Sequence, residues 1–61
     1  MSETERKVYK LIKEDNYIRA NVIAQKIGKS EKTVYRAIKK LKDLKMIIRI
    51  GDDYSGHWKI L

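Results

Sequence analysis

Apolar residues along this chain fall into three stretches of helical spacing, followed by two short runs rich in β-branched and aromatic side chains. In the first stretch Val8, Leu11 and Ile12 recur at steps of three and four, and Ser2 followed by Glu5 has the spacing of a capping box. A helix from about residue 3 to 14 is therefore predicted, with Arg6, Lys7, Lys10 and Lys13 on its polar face. Glu14, Asp15 and Asn16 interrupt the period, and Tyr17-Ile18-Arg19 then reads as a short extended strand. Ala20, Ile23, Ala24 and Ile27 resume helical spacing in a second, shorter helix that closes at Gly28. Glycine enters the left-handed conformation at little cost, so the chain can reverse there.

The third stretch is the most informative. With Ser30 as N-cap, Val34, Ala37, Ile38, Leu41 and Leu44 fall on one side of a helix running to about Leu44. Lys32, Arg36, Lys39 and Lys40 gather on the opposite side. Beyond it, residues 46–50 and 57–60 look like two strands joined by a turn carrying Gly51, Ser55 and Gly56. The expected architecture is α+β: three helices with a short strand and a C-terminal β-hairpin.

Charge changes the meaning of the third helix. The chain is formally +7, and the window from Lys29 to Lys45 alone contributes +5, with seven basic residues against Glu31 and Asp43. A basic stripe on a short rigid helix concentrates positive potential where a phosphate backbone releases its counterions. Solvation of an exposed helix face is the plainer account of a charge run taken alone. The sharp turn immediately before this helix favours the binding account.

Sixty-one residues allow one domain, taken as residues 1–61, and one modest core. No cysteine is present to staple it, so Ile, Leu, Val and the one Trp must suffice. The absence of cysteine fits a reducing compartment. No apolar run has the length of a membrane span, and the first residues, M-S-E-T-E-R-K, lack a signal-peptide core. A cytoplasmic protein with no membrane partner is the expectation.

The order helix, short strand, helix, helix, strand, turn, strand is that of a winged helix-turn-helix. The segments I-G-K-S-E-K-T-V-Y-R-A-I-K-K-L and I-I-R-I-G-D-D-Y-S-G-H-W-K-I-L resemble the C-terminal winged-helix domain of RecG-type ATP-dependent DNA helicase-related proteins, often attached to an AlbA/Schlafen-like domain. The likeness spans residues 5–61, and its more specific half is the wing, bracketed by Arg49-Ile50-Gly51 and Ser55-Gly56-His57-Trp58-Lys59.

That resemblance implies double-stranded DNA as partner, with the third helix in the major groove and the wing on the flanking backbone. Ser30 and Thr33, at the helix start, would reach phosphate or base where the helix N-terminus favours an anion. Lys32 and Arg36 are the candidates for base-edge readout, since arginine can bind guanine through two hydrogen bonds. Tyr35 sits on the flank of the exposed face, where it either packs against the first helix or meets a sugar or thymine methyl group. Lys39 and Lys40, further along, are expected phosphate ligands.

Departures from the family pattern qualify these roles. Tyr54 stands where the family commonly has a wing lysine, preceded by Asp52 and Asp53, whose carboxylates repel phosphate and argue for a wing tip that avoids the backbone. Lys45 replaces the glycine that usually ends the third helix, so a different ending is expected. Arg19 replaces the Ser or Thr cap of the second helix. Ile48 and Val22 occupy commonly polar positions, and Ile47, Ile48 and Ile50 cannot share one face of a strand. The outward apolar surface is either ordinary exposure or a contact with a second copy (a homodimer) or a parent-protein domain.

Trp58 reads first as a core anchor pinning the wing to the helices. A second resemblance offers an alternative: W-K-I with Arg36 and Lys39 is similar to the Z-DNA-binding winged helix of the RNA-editing adenosine deaminases, where the tryptophan is exposed at the nucleic acid. This chain lacks that family's paired wing prolines and has Tyr35 and Lys39 in place of its key asparagine and tyrosine.

Catalysis finds little footing. His57 is the only histidine, adjacent Asp52 and Asp53 would point to opposite sides, and no phosphate-cradling G-x-x-x-x-G-K-[S/T] loop exists. Asp52, Asp53 and His57 read as a solvated turn rather than a metal site. No enzyme activity, cofactor or small-molecule substrate is expected. Two functions are carried forward: a DNA-binding module, as transcription regulator or as targeting domain of a larger ATP-dependent protein, and a protein-interaction winged helix whose basic face is incidental.

Overall fold

A computed structural model describes residues 1–52 and 55–61. Its elements are α1 (Glu3–Glu14), α2 (Ala20–Ile27), α3 (Glu31–Asp43), β1 (Ile47–Ile50) and β2 (His57–Ile60). Local chemistry accounts for each helix start and stop. At α1, Ser2 Oγ accepts the Glu5 N–H while the Glu5 carboxylate accepts the Ser2 N–H, a reciprocal capping box. At α3, Ser30 Oγ accepts the Thr33 N–H at 3.2 Å. Gly28, with φ +69°, closes α2 by donating to the Ala24 carbonyl, which also receives the Lys29 N–H.

The three helices pack on one another, and α3 also meets β1. Their shared core comprises Val8 and Ile12 from α1, Ile18 from the connection, Ile23 and Ala24 from α2, and Val34, Ala37, Ile38 and Leu41 from α3. Among the described residues of the hairpin, Ile47 and Trp58 join it. Each helix thus buries the stripe its periodicity marks, and the opposite stripe is left to charged groups.

Strands β1 and β2 pair antiparallel in the register Ile47↔Ile60, Ile48↔Lys59, Arg49↔Trp58 and Ile50↔His57. Alternation puts Ile47, Arg49 and Trp58 on the inner side and Ile48, Ile50 and Lys59 on the outer. Gly56 is buried in the turn, where a Cβ would collide with the carbonyl oxygens of Ile50 and Asp52. Asp52 Oδ1 accepts both the Ser55 N–H and its hydroxyl, fixing one side of that turn. The acidic-wing expectation also involves Asp53 and Tyr54, which lie outside the described residues.

Three expectations are corrected. The short strand at Tyr17-Ile18-Arg19 is absent from the sheet, which has two strands among the described residues. A turn takes its place: Tyr17 N–H donates to Asp15 Oδ1 and Ile18 N–H to the Asp15 carbonyl, and among the described residues one backbone-to-backbone bond joins the segment to β2, from the Trp58 N–H to the Asn16 carbonyl at 2.6 Å. Leu44 is 47% exposed rather than buried, because α3 stops one residue earlier and the chain folds back, so that Ile47 is buried and Met46 packs on the core instead. Lys45 does not change how α3 ends. It adopts φ +58° itself, and the Met46 N–H to the Leu41 carbonyl and the Lys45 N–H to the Lys42 carbonyl close a Schellman motif without the glycine.

Candidate nucleic-acid interface

Helix α3 divides its surface between a convex ridge and a concave flank. Lys32, Arg36, Lys39 and Lys40 are all exposed, as are Ser30 and Tyr35, while Thr33 is half-buried. Within this set the structure separates two neighbourhoods. Thr33 and Arg36 line a shallow cleft against the start of α1, formed with Ser2, Thr4 and Glu5. Tyr35 and Lys39 face the other way, into an open cleft of about 780 Å³ bounded by the start of α2, the length of α3 and the base of the hairpin. Tyr35 therefore packs away from α1, and its side chain is 59% exposed. The hydroxyls of Ser30 and Thr33 lie 3.0 Å apart and bond to each other, so the cap itself engages both of them.

The larger cleft contains cations that helical periodicity did not pick out. Arg19 and Asn21 reach it from the start of α2, Lys42 from the last turn of α3, and Arg49 from the inner side of β1. With Lys39 these make, among the described residues, four cationic side chains against one carboxylate, Glu31. Arg19 is the residue that leaves α2 without a side-chain cap. The same substitution puts a cation at the cleft wall. Arg49 carried a readable signal: two residues from Ile47 on a strand, it had to point inward, and an inward arginine on a small domain needs a ring or an anion to meet.

Trp58 supplies the ring. Its side chain is 6% exposed, its Nε1–H donates to the Ile18 carbonyl at 3.0 Å, and the Arg49 guanidinium lies 4.7 Å from the ring centroid. Lys42 Nζ sits 5.5 Å from the same ring. Two cations are thereby held beside one another at the hairpin base by an aromatic face, a favourable arrangement for each. The exposed tryptophan that the Z-DNA resemblance requires is not found here; the core-anchor reading stands. His57 stacks on Tyr17 at 5.1 Å between ring centroids. No group of three metal-ligating side chains converges among the described residues.

Three helices with a tight reversal between the second and third, followed by an antiparallel hairpin, define a winged helix-turn-helix. The model of the winged helix-turn-helix DNA-binding family matches residues 1–48, and the chain belongs to that family. The match covers all three helices and the first half of β1. No curated protein and no solved structure matches the chain. Among the described residues no helix is long and apolar enough to cross a membrane.

Proposed function

We propose that α3 enters the major groove of double-stranded DNA, with Lys32 and Arg36 toward base edges and Lys39 and Lys40 on phosphates, while Ser30, Thr33 and Tyr35 border the contact. One observation carries this reading: the outward side of α3 presents four exposed cationic side chains at positions 32, 36, 39 and 40, on a helix of 13 residues held rigidly by its other side. A helix of this kind fits the groove as a unit, and its cations replace counterions there. In the cell such a module serves as a cytoplasmic transcription regulator or as the DNA-targeting part of a larger ATP-dependent protein, the role that the RecG-type resemblance suggests.

Salt dependence tests it. Engagement of two phosphates by Lys39 and Lys40 predicts an affinity loss of roughly 10-fold between 50 and 200 mM salt on generic duplex. The quadruple substitution K32A/R36A/K39A/K40A should flatten that dependence and abolish binding at the higher salt. A duplex affinity that ignores both changes rejects direct DNA contact and favours a protein-docking role through Val22 and Ile48, which are 36% and 38% exposed.

A further inference from the structure

We infer that the concave flank of α3 receives an unpaired base of a DNA strand, with Tyr35 as its stacking surface and Lys39 and Lys42 on the adjoining phosphates. This deepens the proposed function and rests on it, since it requires α3 to meet DNA.

Shape is the first argument. The convex ridge of α3 suits a duplex groove, but the cleft beside it is a hollow of about 780 Å³, within the range of sites that seat small organic ligands. A paired base cannot enter a hollow, because its faces are covered by its neighbours in the stack. A base out of the stack has both faces uncovered and can lie on an aromatic ring.

The choice of ring is the second argument. Of the two aromatics lining the cleft, Trp58 is buried, with Arg49 and Lys42 already set against its ring. Tyr35 is 59% exposed in mid-helix, a position where a large ring contributes little to the core. Its apolar face and polar tip suit contact with a base whose identity is left open, because every base has a π-face.

Charge then orients the strand. Glu31, the one carboxylate on the cleft among the described residues, lies eleven residues from Lys42, about 16 Å along the helix. Phosphates are consequently drawn to the Lys39–Lys42 end and the base lies toward Tyr35. Arg49, held by the Trp58 ring, keeps positive potential at that same end.

Trp58 provides the readout, because it is the only tryptophan and lines the cleft. The folded protein is titrated at low salt with a thymidine oligonucleotide, a plain duplex and the same duplex carrying one unpaired thymidine. The single strand and the bulged duplex should shift Trp58 emission, and Tyr35→Ala should weaken both by about tenfold. Tyr35→Phe should stay within twofold of the parent, and Tyr35→Ala should weaken plain duplex several-fold less than it weakens the single strand and the bulged duplex. A 2-aminopurine placed at the unpaired position should be quenched on binding to the parent protein and not to Tyr35→Ala. If plain duplex binds with the expected salt dependence while Tyr35→Ala weakens every DNA equally, or none, the inference is overturned and the duplex reading survives. If no DNA binds at low salt, both fall together.

Discussion

The helical body and the hairpin of this domain are held by different means. Among the described residues, nine of the eleven buried apolar side chains belong to residues 8–41, spread over three helices and a connection, whereas the hairpin contributes Ile47 and Trp58. Removing one side chain from the body leaves many others to hold it. The hairpin relies on Ile47 and on one tryptophan that combines apolar burial, an indole N–H bond to the Ile18 carbonyl and a backbone bond to Asn16. The lesson is that a wing can be held by few residues, with Ile47 buried beside it and Trp58 as the anchor that also hydrogen-bonds to the body. The same anchor carries Arg49 and Lys42 on its ring, so the stability of the hairpin and the charge of the cleft are one problem.

Trp58→Ala breaks that arrangement most directly. Loss of a buried tryptophan costs about 3–5 kcal/mol, a large part of what a domain of this size has. Hydrogen exchange should show the amides of β1 and β2 losing protection before those of α1 and α3. Equal loss throughout would mean that hairpin and body are one cooperative unit and that the contrast drawn above is false. Trp58→Phe sharpens the test by keeping most of the ring while leaving the buried Ile18 carbonyl without its donor, at a cost of about 1–3 kcal/mol. Chemical denaturation of the two variants should rank them in that order.

How far the sequence foretold this structure also differs between the two regions. Helix limits were legible because their signals are local: Ser2 with Glu5, Ser30 three residues before Thr33, and Gly28 each act within one turn. The strand expected at Tyr17-Ile18-Arg19 was misread because extension is local but pairing is not. Asp15 draws the Tyr17 and Ile18 amides into a turn, so they cannot serve a ladder. Lys32, Arg36, Lys39 and Lys40 could be grouped in advance because they share one helix, where all four are exposed. Arg19, Asn21, Lys42 and Arg49 were missed as a group because they come from three elements and meet only through the tertiary fold.

Within the body, Ser30→Ala removes the acceptor for the Thr33 N–H and the partner of the Thr33 hydroxyl. The expected cost is about 1 kcal/mol, seen as a lower midpoint in urea with an unchanged slope. Because α3 packs on α1, on α2 and on β1, this loss should lower protection in all three helices together. Confinement to the first turn of α3 would show fraying in place of a global effect.

The smallest effect is expected at the joint between the two regions. Lys45 holds φ +58° at the end of α3, and its own N–H and that of Met46 complete the Schellman motif from which β1 departs. A left-handed conformation costs a residue with a Cβ roughly 1–2 kcal/mol, while glycine avoids this and gives up roughly 0.5–1 kcal/mol of chain entropy instead. Lys45→Gly should therefore stabilise the domain by somewhat under about 1 kcal/mol, a rise of roughly 4 °C in Tm. The exposed lysine has no part in the cleft, so binding of duplex should fall only by the small effect of one distant charge. A fall in Tm would mean that the Lys45 side chain contributes to the joint in a way its backbone conformation does not reveal. An unchanged Tm would mean that the entropy lost by glycine equals the strain relieved, and that the body hands the chain to the hairpin as well through lysine as through glycine.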